Sequence, residues 1–373
     1  MTTLQRRPLR LLALMAIATL GCARAFAAPP APPARPAPPV LTAQQRAEVL
    51  QTLYSKLTAH YVFPDVAAQV NGALPAKVQA YGAGVSAPEF GDLISKDLRA
   101  LGHDKHFRVF FDPEFRDDPA GPNAVPSAED MAHQRVEMAQ LGYGVEKVQR
   151  LPGNVAYIEL RGFGPPDLVG PAYAAALALS DGSDALILDL RRNGGGSPGA
   201  VALLMSHFFP LGDERHLNDI YTRSTNQTQQ YWTTAAASPR YSKPVYVLTS
   251  ARTFSGGEEC AYDFQTQKRA ILVGQTTGGG ANAGDRFSLG HGLVINIPTA
   301  RAINPVTQTN WEGVGVKPDI EVPAAQAQQV AYLAILKSMV GKAKDPRDEE
   351  RLKDLIGMAE KGEAPVPVYE MRQ

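Results

Sequence analysis

Short apolar segments alternate with helix-like segments from residue 155 onwards, and this alternation constrains the fold more than any other feature. The segments DALILDL, PVYVLTS and AILVG are largely apolar, as expected of strands that are buried on both faces of a sheet. Between them, SPGAVALLMSHFF and GGEECAYDFQTQK have the length and pattern of helices. Strands that alternate with helices predict an α/β fold with a largely parallel sheet.

Two helical segments precede this alternating region. Thr42 is placed to cap the first, and apolar residues recur behind it at helical spacing, at Val49, Leu53 and Leu57. Ser86 is placed to cap the second, whose apolar face is formed by Phe90, Leu93, Ile94, Leu98 and Leu101. The next segment, HFRVFFDP, alternates as a strand does, and residues 113–137 are interpreted as a loop. We therefore expect an N-terminal helical bundle in front of the α/β core.

The N-terminus has the pattern of a secretory signal peptide. Three arginines precede an apolar run over residues 11–20, and the tripeptide AFA predicts cleavage after Ala27. Two alternatives remain open, a lipoprotein cleavage site at Cys22 and a twin-arginine signal at Arg6 and Arg7. Each pattern predicts an exported protein, periplasmic or secreted. The apolar run is short for a membrane span, so we expect no transmembrane segment after signal removal.

Composition divides the chain into five segments. The stretch after the signal is almost entirely proline and alanine, which favours an extended linker. The last segment contains a charged helix and a tail in which we recognise no chemistry, so we interpret its charges as a solvated face. The predicted segments are a signal peptide (1–27), a linker (28–40), a helical domain (41–105), an α/β domain (106–330) and a C-terminal helix with a tail (331–373).

Charge and cysteine content exclude some classes of function. The chain has 37 basic and 37 acidic residues, and a net charge of zero argues against nucleic acid as a partner. Removal of the signal would leave Cys260 as the single cysteine, so no intramolecular disulfide could form. Cys260 has apolar neighbours, and we interpret it as a buried small hydrophobic residue rather than a nucleophile.

Ser255 is the candidate nucleophile. It follows the strand PVYVLTS and comes directly before two glycines and a predicted helix. That position would present the hydroxyl at the carboxyl end of the sheet, where the free N–H groups of the helix start could bind an oxyanion. The alternative is an ordinary helix N-cap serine. There is no GxSxG elbow, because Thr253 occupies the first glycine position.

A serine nucleophile needs a base, and His106 is the candidate. It opens the strand HFRVFF after a short turn, which could bring it to a cleft between the helices and the sheet. The alternative is a histidine in a solvent-facing loop. His103 and His106 form an HxxH spacing, but no third ligand follows at a telling distance, so we predict no metal and no cofactor. Asp285 and His291 could complete a different Ser-Asp-His order, although His291 lies in a predicted hairpin turn.

A glycine-rich loop, NGGGSPG, follows the buried strand DALILDL. It contains the dinucleotide pattern GxGxxG from Gly194 to Gly199, with Asp219 about twenty residues further on. Pro198 lies inside the pattern, and the unit does not open the α/β region, so a dinucleotide site is the weaker interpretation. The other interpretation is a loop whose glycine N–H groups face a developing negative charge.

Taken in order, these segments resemble the S41 family of serine peptidases, the tail-specific or C-terminal-processing group. The resemblance rests on LGHDKHFRVFF, YIELRGFG, LILDLRRNGGG and VLTSARTFSGGEE with ILVGQTTGGG, and closes with WEGVGVKPDIEV. It implies a ClpP/crotonase-like α/β core over residues 106–330, preceded by the helical bundle. It also implies a cleft that holds an extended peptide, with apolar residues near the site selecting the substrate. The gap at 113–140 is too short for the PDZ domain of many members.

The family has two catalytic styles, and the resemblance favours one of them. The Ser-Lys style places a lysine in a TxGKG block, where this chain has Gly280. The Ser-His-Glu style is that of the tricorn core protease and of the interphotoreceptor retinoid-binding protein modules. The resemblance therefore implies Ser255 as nucleophile, His106 as general base and Glu312 as the group that orients the histidine. Lys105, in place of the glycine in the family's DGH turn, is a modest departure.

The resemblance also implies an oxyanion hole, formed by the backbone N–H of Gly256 and that of Gly195 or Gly196. The predicted function is an exported serine endopeptidase that cleaves peptides or unfolded proteins, including bonds near their C-termini. The alternative is a non-catalytic protein that binds apolar ligands or peptides on the same fold. A complete Ser-His-Glu set favours chemistry, because binding alone does not need it.

Overall fold

The computed structural model describes residues 37–117, 127–343 and 345–363. The predicted signal peptide and most of the predicted linker therefore lie outside the described residues. Three helices come first, α1 (Ala43–His60), α2 (Pro64–Val78) and α3 (Ala87–Gly102). Thr42 caps α1 as predicted: its hydroxyl accepts a hydrogen bond from Gln45 N at 3.2 Å, and Gln45 Oε1 accepts one from Thr42 N at 2.9 Å.

Strands and helices alternate through the rest of the described residues. The strands are β1 (Arg108–Phe111), β2 (Val145–Leu151), β3 (Val155–Leu160), β4 (Ala185–Asp189), β5 (His216–Thr222), β6 (Gln227–Trp232), β7 (Val245–Thr249), β8 (Ile271–Gly274), β9 (Gly284–Gly290), β10 (Leu293–Pro298), β11 (Ala300–Ile303) and β12 (Ile320–Glu321). The helices are α4 (Ala128–Gln140), α5 (Pro166–Ser180), α6 (Pro198–Ser206), α7 (Gly256–Thr266), α8 (Ala324–Val340) and α9 (Pro346–Glu360).

A six-stranded sheet organises the α/β core, with the strand order β12-β8-β7-β4-β3-β2. The first five of these strands run parallel, and β2 pairs antiparallel with β3 at one edge. Every residue of β4 and β7 is buried, as their continuous apolar sequences predict. The α/β class with preceding helices is confirmed.

Helices cover both faces of this sheet, which explains why its central strands carry apolar residues on both sides. On one face, residues such as Leu188 and Val201 share a core with Phe264 of α7. Cys260 lies in the same core, fully buried, as expected. On the other face, α8 and α9 pack over residues that include Ile187.

Two smaller antiparallel sheets complete the fold. One has the order β1-β10-β9 and shares a core with α1, α2 and α3, in which Leu53 and Phe90 meet Ile295. The other has the order β11-β5-β6. The N-terminal helices are thus joined to strands from two distant parts of the chain, β1 and the β9–β10 hairpin.

Several elements differ from the sequence-based expectation. The predicted loop over 113–137 contains the start of α4, which Ser127 caps by accepting a hydrogen bond from Asp130 N at 3.1 Å. None of the residues of α4 is buried, so this helix contributes no side chain to the core. The β5–β6 hairpin was not predicted either. Among the described residues, no helix has the length and apolar character needed to cross a membrane.

The carboxyl ends of three neighbouring parallel strands lie side by side at one end of the sheet. β4 ends at Asp189, β7 at Thr249 and β8 at Gly274. The loops that follow are bonded to each other, because Thr253 Oγ1 donates a hydrogen bond to Leu190 O at 2.8 Å. Open α/β sheets place their binding sites at the carboxyl ends of their strands.

We expect the substitution Leu53→Ala to lower the free energy of unfolding by about 2–5 kcal/mol, since it would leave a cavity in the core between the helices and the small sheet. Leu179→Ala is the matched control, because Leu179 is 68% exposed and Leu53 is fully buried. Its effect should be within about 0.5 kcal/mol. Chemical denaturation of both variants measures the difference. Equal effects would contradict the shared core.

Candidate active site

Ser255 lies in the turn between β7 and α7, at the carboxyl end of the parallel sheet. Its backbone has φ +53° and ψ −123°, a conformation that non-glycine residues rarely adopt. Ser255 and Glu258 have the arrangement of a capping box, in which Ser255 N donates to Glu258 Oε2 while the serine hydroxyl faces the backbone of Glu258 without a close capping hydrogen bond. Ser255 thus has the chain position of an N-cap residue, and its unusual backbone is typical of a functional site.

A buried carboxylate, Glu258, holds this turn against the loop that follows β8. Its oxygens accept hydrogen bonds from Ser255 N at 3.0 Å, Gly279 N at 2.6 Å and Gly280 N at 2.8 Å, and from the hydroxyl of Thr277. Burial raises the pKa of the Glu258 carboxyl, and these hydrogen bonds oppose the rise. Sequence reasoning missed Glu258, although a glutamate three residues after a serine at a helix start is the pattern of a capping box.

His106 packs against the residue that precedes Ser255. Its ring lies 4.7 Å from the ring of Phe254, centroid to centroid. Its backbone is fixed on both sides, since its N–H donates to Asp104 Oδ1 at 3.0 Å and its carbonyl accepts from Asn296 Nδ2 at 2.9 Å. Both ring nitrogens are buried and have no hydrogen-bond partner among the described residues. A histidine held in this way, with both nitrogens free, can exchange a proton with a substrate or a neighbouring hydroxyl.

Gly280 makes room for this histidine. A β-carbon at position 280 would lie 2.3 Å from Phe254 Cζ and 2.8 Å from His106 Cε1. Both distances are far below ordinary van der Waals contact, so a longer side chain there would displace both rings. The histidine and a lysine at position 280 therefore compete for the same space.

Glu312 lies in the loop between β11 and β12. Its Oε2 accepts hydrogen bonds from Ala281 N at 2.6 Å and Asn282 N at 3.1 Å, while its buried Oε1 has no partner among the described residues. Burial raises the pKa of this carboxyl to about 7, and the neighbouring Asp104 carboxylate adds to the rise. The two N–H groups and His106 act in the opposite direction.

Asp104 is a second carboxylate beside the histidine, and sequence reasoning missed it. Its Oδ1 lies 3.8 Å from His106 Nδ1, and its Oδ2 accepts hydrogen bonds from Tyr61 Oη at 3.3 Å and Asn282 Nδ2 at 2.9 Å. Donor atoms of Asp104, His106 and Glu312 all lie within 4.8 Å of one another. The structure therefore brings His106 together with the predicted Glu312, and adds Asp104.

The same three side chains are the described residues that could hold a metal ion. The predicted HxxH pair does not contribute as a pair, because His103 is exposed and is not part of the cluster. Asp104 already accepts hydrogen bonds at both oxygens. The free donor atoms are the ring nitrogens of His106 and Oε1 of Glu312, which is the set needed for a hydrogen-bonded histidine–carboxylate pair.

The glycine loop after β4 lies against Ser255. This is the position expected if its N–H groups face a negative charge that develops at the serine. A β-carbon at Gly195 would lie 2.7 Å from Ser255 Cβ, and one at Gly256 would lie 3.0 Å from Gly196 N. The N–H of Gly195 donates to Asn193 Oδ1 at 2.9 Å, so it is already engaged. The N–H groups of Gly196 and Gly256 donate no hydrogen bond within the described part of the chain. These two amides are the free donors beside the candidate nucleophile.

The competing sites of the sequence analysis lie elsewhere. Asp219 belongs to β5, outside the parallel sheet, and its carboxylate pairs with His216 Nε2 at 2.7 Å. The acidic residue of the pattern therefore lies outside the parallel unit formed by β4, α6 and β7, so the dinucleotide fingerprint is not met. His291 lies in the turn between β9 and β10 and pairs with Glu48 Oε2 at 2.7 Å. Asp285 accepts from a threonine hydroxyl at 2.6 Å. Neither forms part of the cluster around His106.

We expect Glu258→Gln to destabilise the turn, because an amide nitrogen would face backbone N–H groups that now donate to a carboxylate. The free energy of unfolding should fall by about 1–3 kcal/mol. Misplacement of Ser255 should slow its reaction with a fluorophosphonate roughly ten- to hundred-fold. Chemical denaturation and the labelling rate measure the two effects, with Glu214→Gln, an exposed glutamate, as the control. Unchanged labelling would contradict a positioning role for the carboxylate.

The raised pKa of Glu312 predicts a pH dependence of stability. The pKa of the Glu312 carboxyl is about 7 in the folded chain and 4.5 when the side chain is exposed to solvent in the unfolded chain. The folded state therefore favours the protonated form. The resulting stabilisation is complete below about pH 4.5 and is lost as the pH rises through about 7. Between pH 5 and 8 the wild type should lose about 2 kcal/mol relative to Glu312→Gln. Denaturation at both pH values tests this; Glu214→Gln should behave as the wild type does, and parallel pH curves for wild type and Glu312→Gln would refute it.

A protein-family model and several known proteins are similar to this chain. The model of peptidase family S41 matches residues 154–322. The chain is 28% identical over 226 residues to the carboxyl-terminal-processing protease of Synechocystis sp., covering 58% of this chain and 51% of that protein. It is 26% identical over 179 residues to the chloroplastic carboxyl-terminal-processing peptidase 1 of Arabidopsis thaliana, covering 48% of this chain and 36% of that protein. The chain thus spans 36% to 51% of the length of these relatives.

A solved structure shares the fold over most of the chain. Mature CPAF complexed with lactacystin matches with a TM-score of 0.54 and 12% identity, covering 86% of this chain and 99% of that chain. At this identity the likeness concerns the fold alone. Residues 154–322, which carry most of the sheet and the loops around Ser255 and Glu312, are thus similar to peptidase family S41.

Proposed function

We propose that this chain is an exported serine endopeptidase that cleaves peptides or unfolded proteins through Ser255, His106 and Glu312. The observation that carries the proposal is the environment of Ser255. Its backbone is strained, and the N–H groups of Gly196 and Gly256, which have no hydrogen-bond partner among the described residues, lie beside it. Backbone amides next to a serine are the feature that acyl transfer needs to stabilise an oxyanion.

In the first step, the Ser255 hydroxyl attacks the carbonyl carbon of a peptide bond while His106 takes its proton. The carbonyl oxygen becomes an oxyanion that accepts hydrogen bonds from Gly196 N and Gly256 N. His106 then gives the proton to the leaving amine, and the acyl group stays on the serine as an ester. In the second step, water attacks the ester with His106 again acting as base, which restores the free serine.

Two carboxylates stabilise the imidazolium that forms in each step. Glu312 has a free Oε1 in the cluster, and Asp104 approaches His106 Nδ1 to 3.8 Å. Burial raises the pKa of Glu312 to about 7. A positive charge on His106 acts in the opposite direction and favours the ionised form of Glu312 at the moment of proton transfer. We assign Glu312 as the orienting acid and Asp104 as a residue that fixes the histidine backbone.

The substrate class is inferred from relatives, and the location from the N-terminal sequence. Curated relatives carry names that describe carboxyl-terminal processing, and we extend this to bonds near the C-termini of substrates. Export rests on the signal pattern of the N-terminus. An extended peptide in the cleft beside Ser255 would suit endopeptidase action on unfolded chains.

We expect Ser255→Ala to abolish casein cleavage by residues 28–373, with a loss of roughly a thousand-fold or more. A fluorophosphonate should label the wild type at Ser255 and leave this variant unlabelled. Ser224→Ala is the control, since Ser224 is exposed on the β5–β6 hairpin turn. Absence of both labelling and cleavage in the wild type would contradict the proposal and favour the non-catalytic binding protein. Labelling without cleavage would support the nucleophile and exclude casein as a substrate.

A further inference from the structure

A cavity of about 700 Å³ opens beside the candidate catalytic residues. Its walls include Lys105, Phe254 and Gly313. Each of these is the chain neighbour of a proposed catalytic residue, His106, Ser255 or Glu312. A volume of this size suits a small ligand or a few residues of a peptide. The cavity therefore borders the candidate site through the neighbours of the catalytic residues, while Ser255, His106 and Glu312 do not themselves line it.

The charge of the cavity is one-sided. Three of its lining side chains are basic, Arg99, His103 and Lys105, and none is acidic. Among the described residues, none of the three forms a salt bridge with a carboxylate. The apolar side chains of the wall are those of Phe254 and Ala100.

A second cavity, at the end of β4, contains arginines that form salt bridges with carboxylates. It also contains several arginines, but Arg191 Nε donates to Asp189 Oδ1 at 3.0 Å and Arg192 Nε donates to Glu159 Oε1 at 2.9 Å. There the carboxylates neutralise the guanidinium groups of Arg191 and Arg192, while Arg252 forms no salt bridge among the described residues. The cavity beside Ser255 has no such partner in its wall, so its positive charge is available to a ligand.

Two of the basic side chains are held in place by backbone carbonyls. Arg99 Nε donates to Phe107 O at 2.8 Å, and Lys105 Nζ donates to Gly278 O. A carbonyl oxygen accepts one hydrogen bond without cancelling the charge, so both cations keep further N–H groups for another acceptor. Anchored cations with free donors are suited to binding a carboxylate.

We propose that this cavity binds a carboxylate of the peptide substrate, either an aspartate or glutamate side chain near the scissile bond or the substrate's own C-terminal carboxylate. The inference rests on the proposed peptidase function and narrows its substrate class to peptides that carry a negative charge near the cleaved bond. Charge complementarity at exposed residues contributes to selectivity and is screened by salt.

The experiment begins by mapping the bonds cleaved in casein by mass spectrometry. A peptide containing one cleaved bond is then made in matched forms, with each acidic residue replaced singly by Asn or Gln, and with a free or amidated C-terminus. We expect one replacement to lower kcat/KM about ten-fold or more. Loss on replacing a side chain identifies that acidic residue as the ligand, and loss on amidation identifies the C-terminal carboxylate. The preference should shrink in high salt.

Variants of the chain test whether the cavity is the cause. Arg99→Gln and Lys105→Gln should each reduce the ratio of kcat/KM for the charged peptide to that for its neutral counterpart. Lys96→Gln is the matched control, because Lys96 is exposed on the same helix as Arg99 and does not line the cavity. It should leave the ratio unchanged. The ratio is not sensitive to partial loss of folded protein, which affects both peptides equally.

The outcomes separate this inference from the proposed function. Equal cleavage of charged and neutral peptides would overturn the carboxylate site while leaving the peptidase intact. A charge preference that survives in both cavity variants would also overturn it. If the wild type cleaves no peptide and is not labelled by a fluorophosphonate, the proposed function fails, and the carboxylate site fails with it.

Discussion

The carboxylate of Glu258 is the interaction on which the site depends. It is buried beneath the turn and accepts hydrogen bonds from the backbone of Ser255 on one side and of Gly279 and Gly280 on the other. These groups come from two loops that follow neighbouring parallel strands. One side chain thus fixes the strained serine relative to the loop on which His106 packs. Burying a carboxylate is costly unless it is fully hydrogen-bonded, and here several donors meet that need.

Close backbone packing around the serine explains the glycines of the sequence. Gly196 has φ +137°, and a β-carbon there would lie 2.0 Å from Phe163 O. At Gly280 a side chain would displace Phe254 and His106. The first glycine lets the loop present a free amide, and the second leaves space for the histidine. The glycines of the GxGxxG pattern, which suggested a dinucleotide site, therefore allow two backbone segments to pack closely against each other.

The sequence was informative where function follows from the position of a residue in an element. Ser255 could be placed at the end of a buried strand because β7 is apolar throughout and glycines follow it. Glu312 and His106, in contrast, lie in loops far apart in the chain, and only the resemblance to a family connected them. The tertiary fold brings them together through packing of the N-terminal helices on β9 and β10, a contact that no local pattern encodes.

Residues that act through other residues were missed. Asp104 has no pattern of its own, since it is one acidic residue in a short turn, and its burial comes from contacts with Tyr61 and Asn282. The engagement of the Gly195 amide by Asn193 likewise depends on the path of a loop. The helix α4 was also missed, although Ser127 and Asp130 form a capping box at its start.

The central claim is that Ser255 is a nucleophile whose oxyanion is held by Gly196 and Gly256. A crystal structure of the covalent adduct with a fluorophosphonate tests it most directly, because the phosphonyl oxygen occupies the place of the oxyanion. The account predicts phosphorus bonded to Ser255 Oγ and the oxygen within about 2.7–3.1 Å of both amide nitrogens. An adduct on another residue, or an oxygen directed away from these two amides, would contradict it.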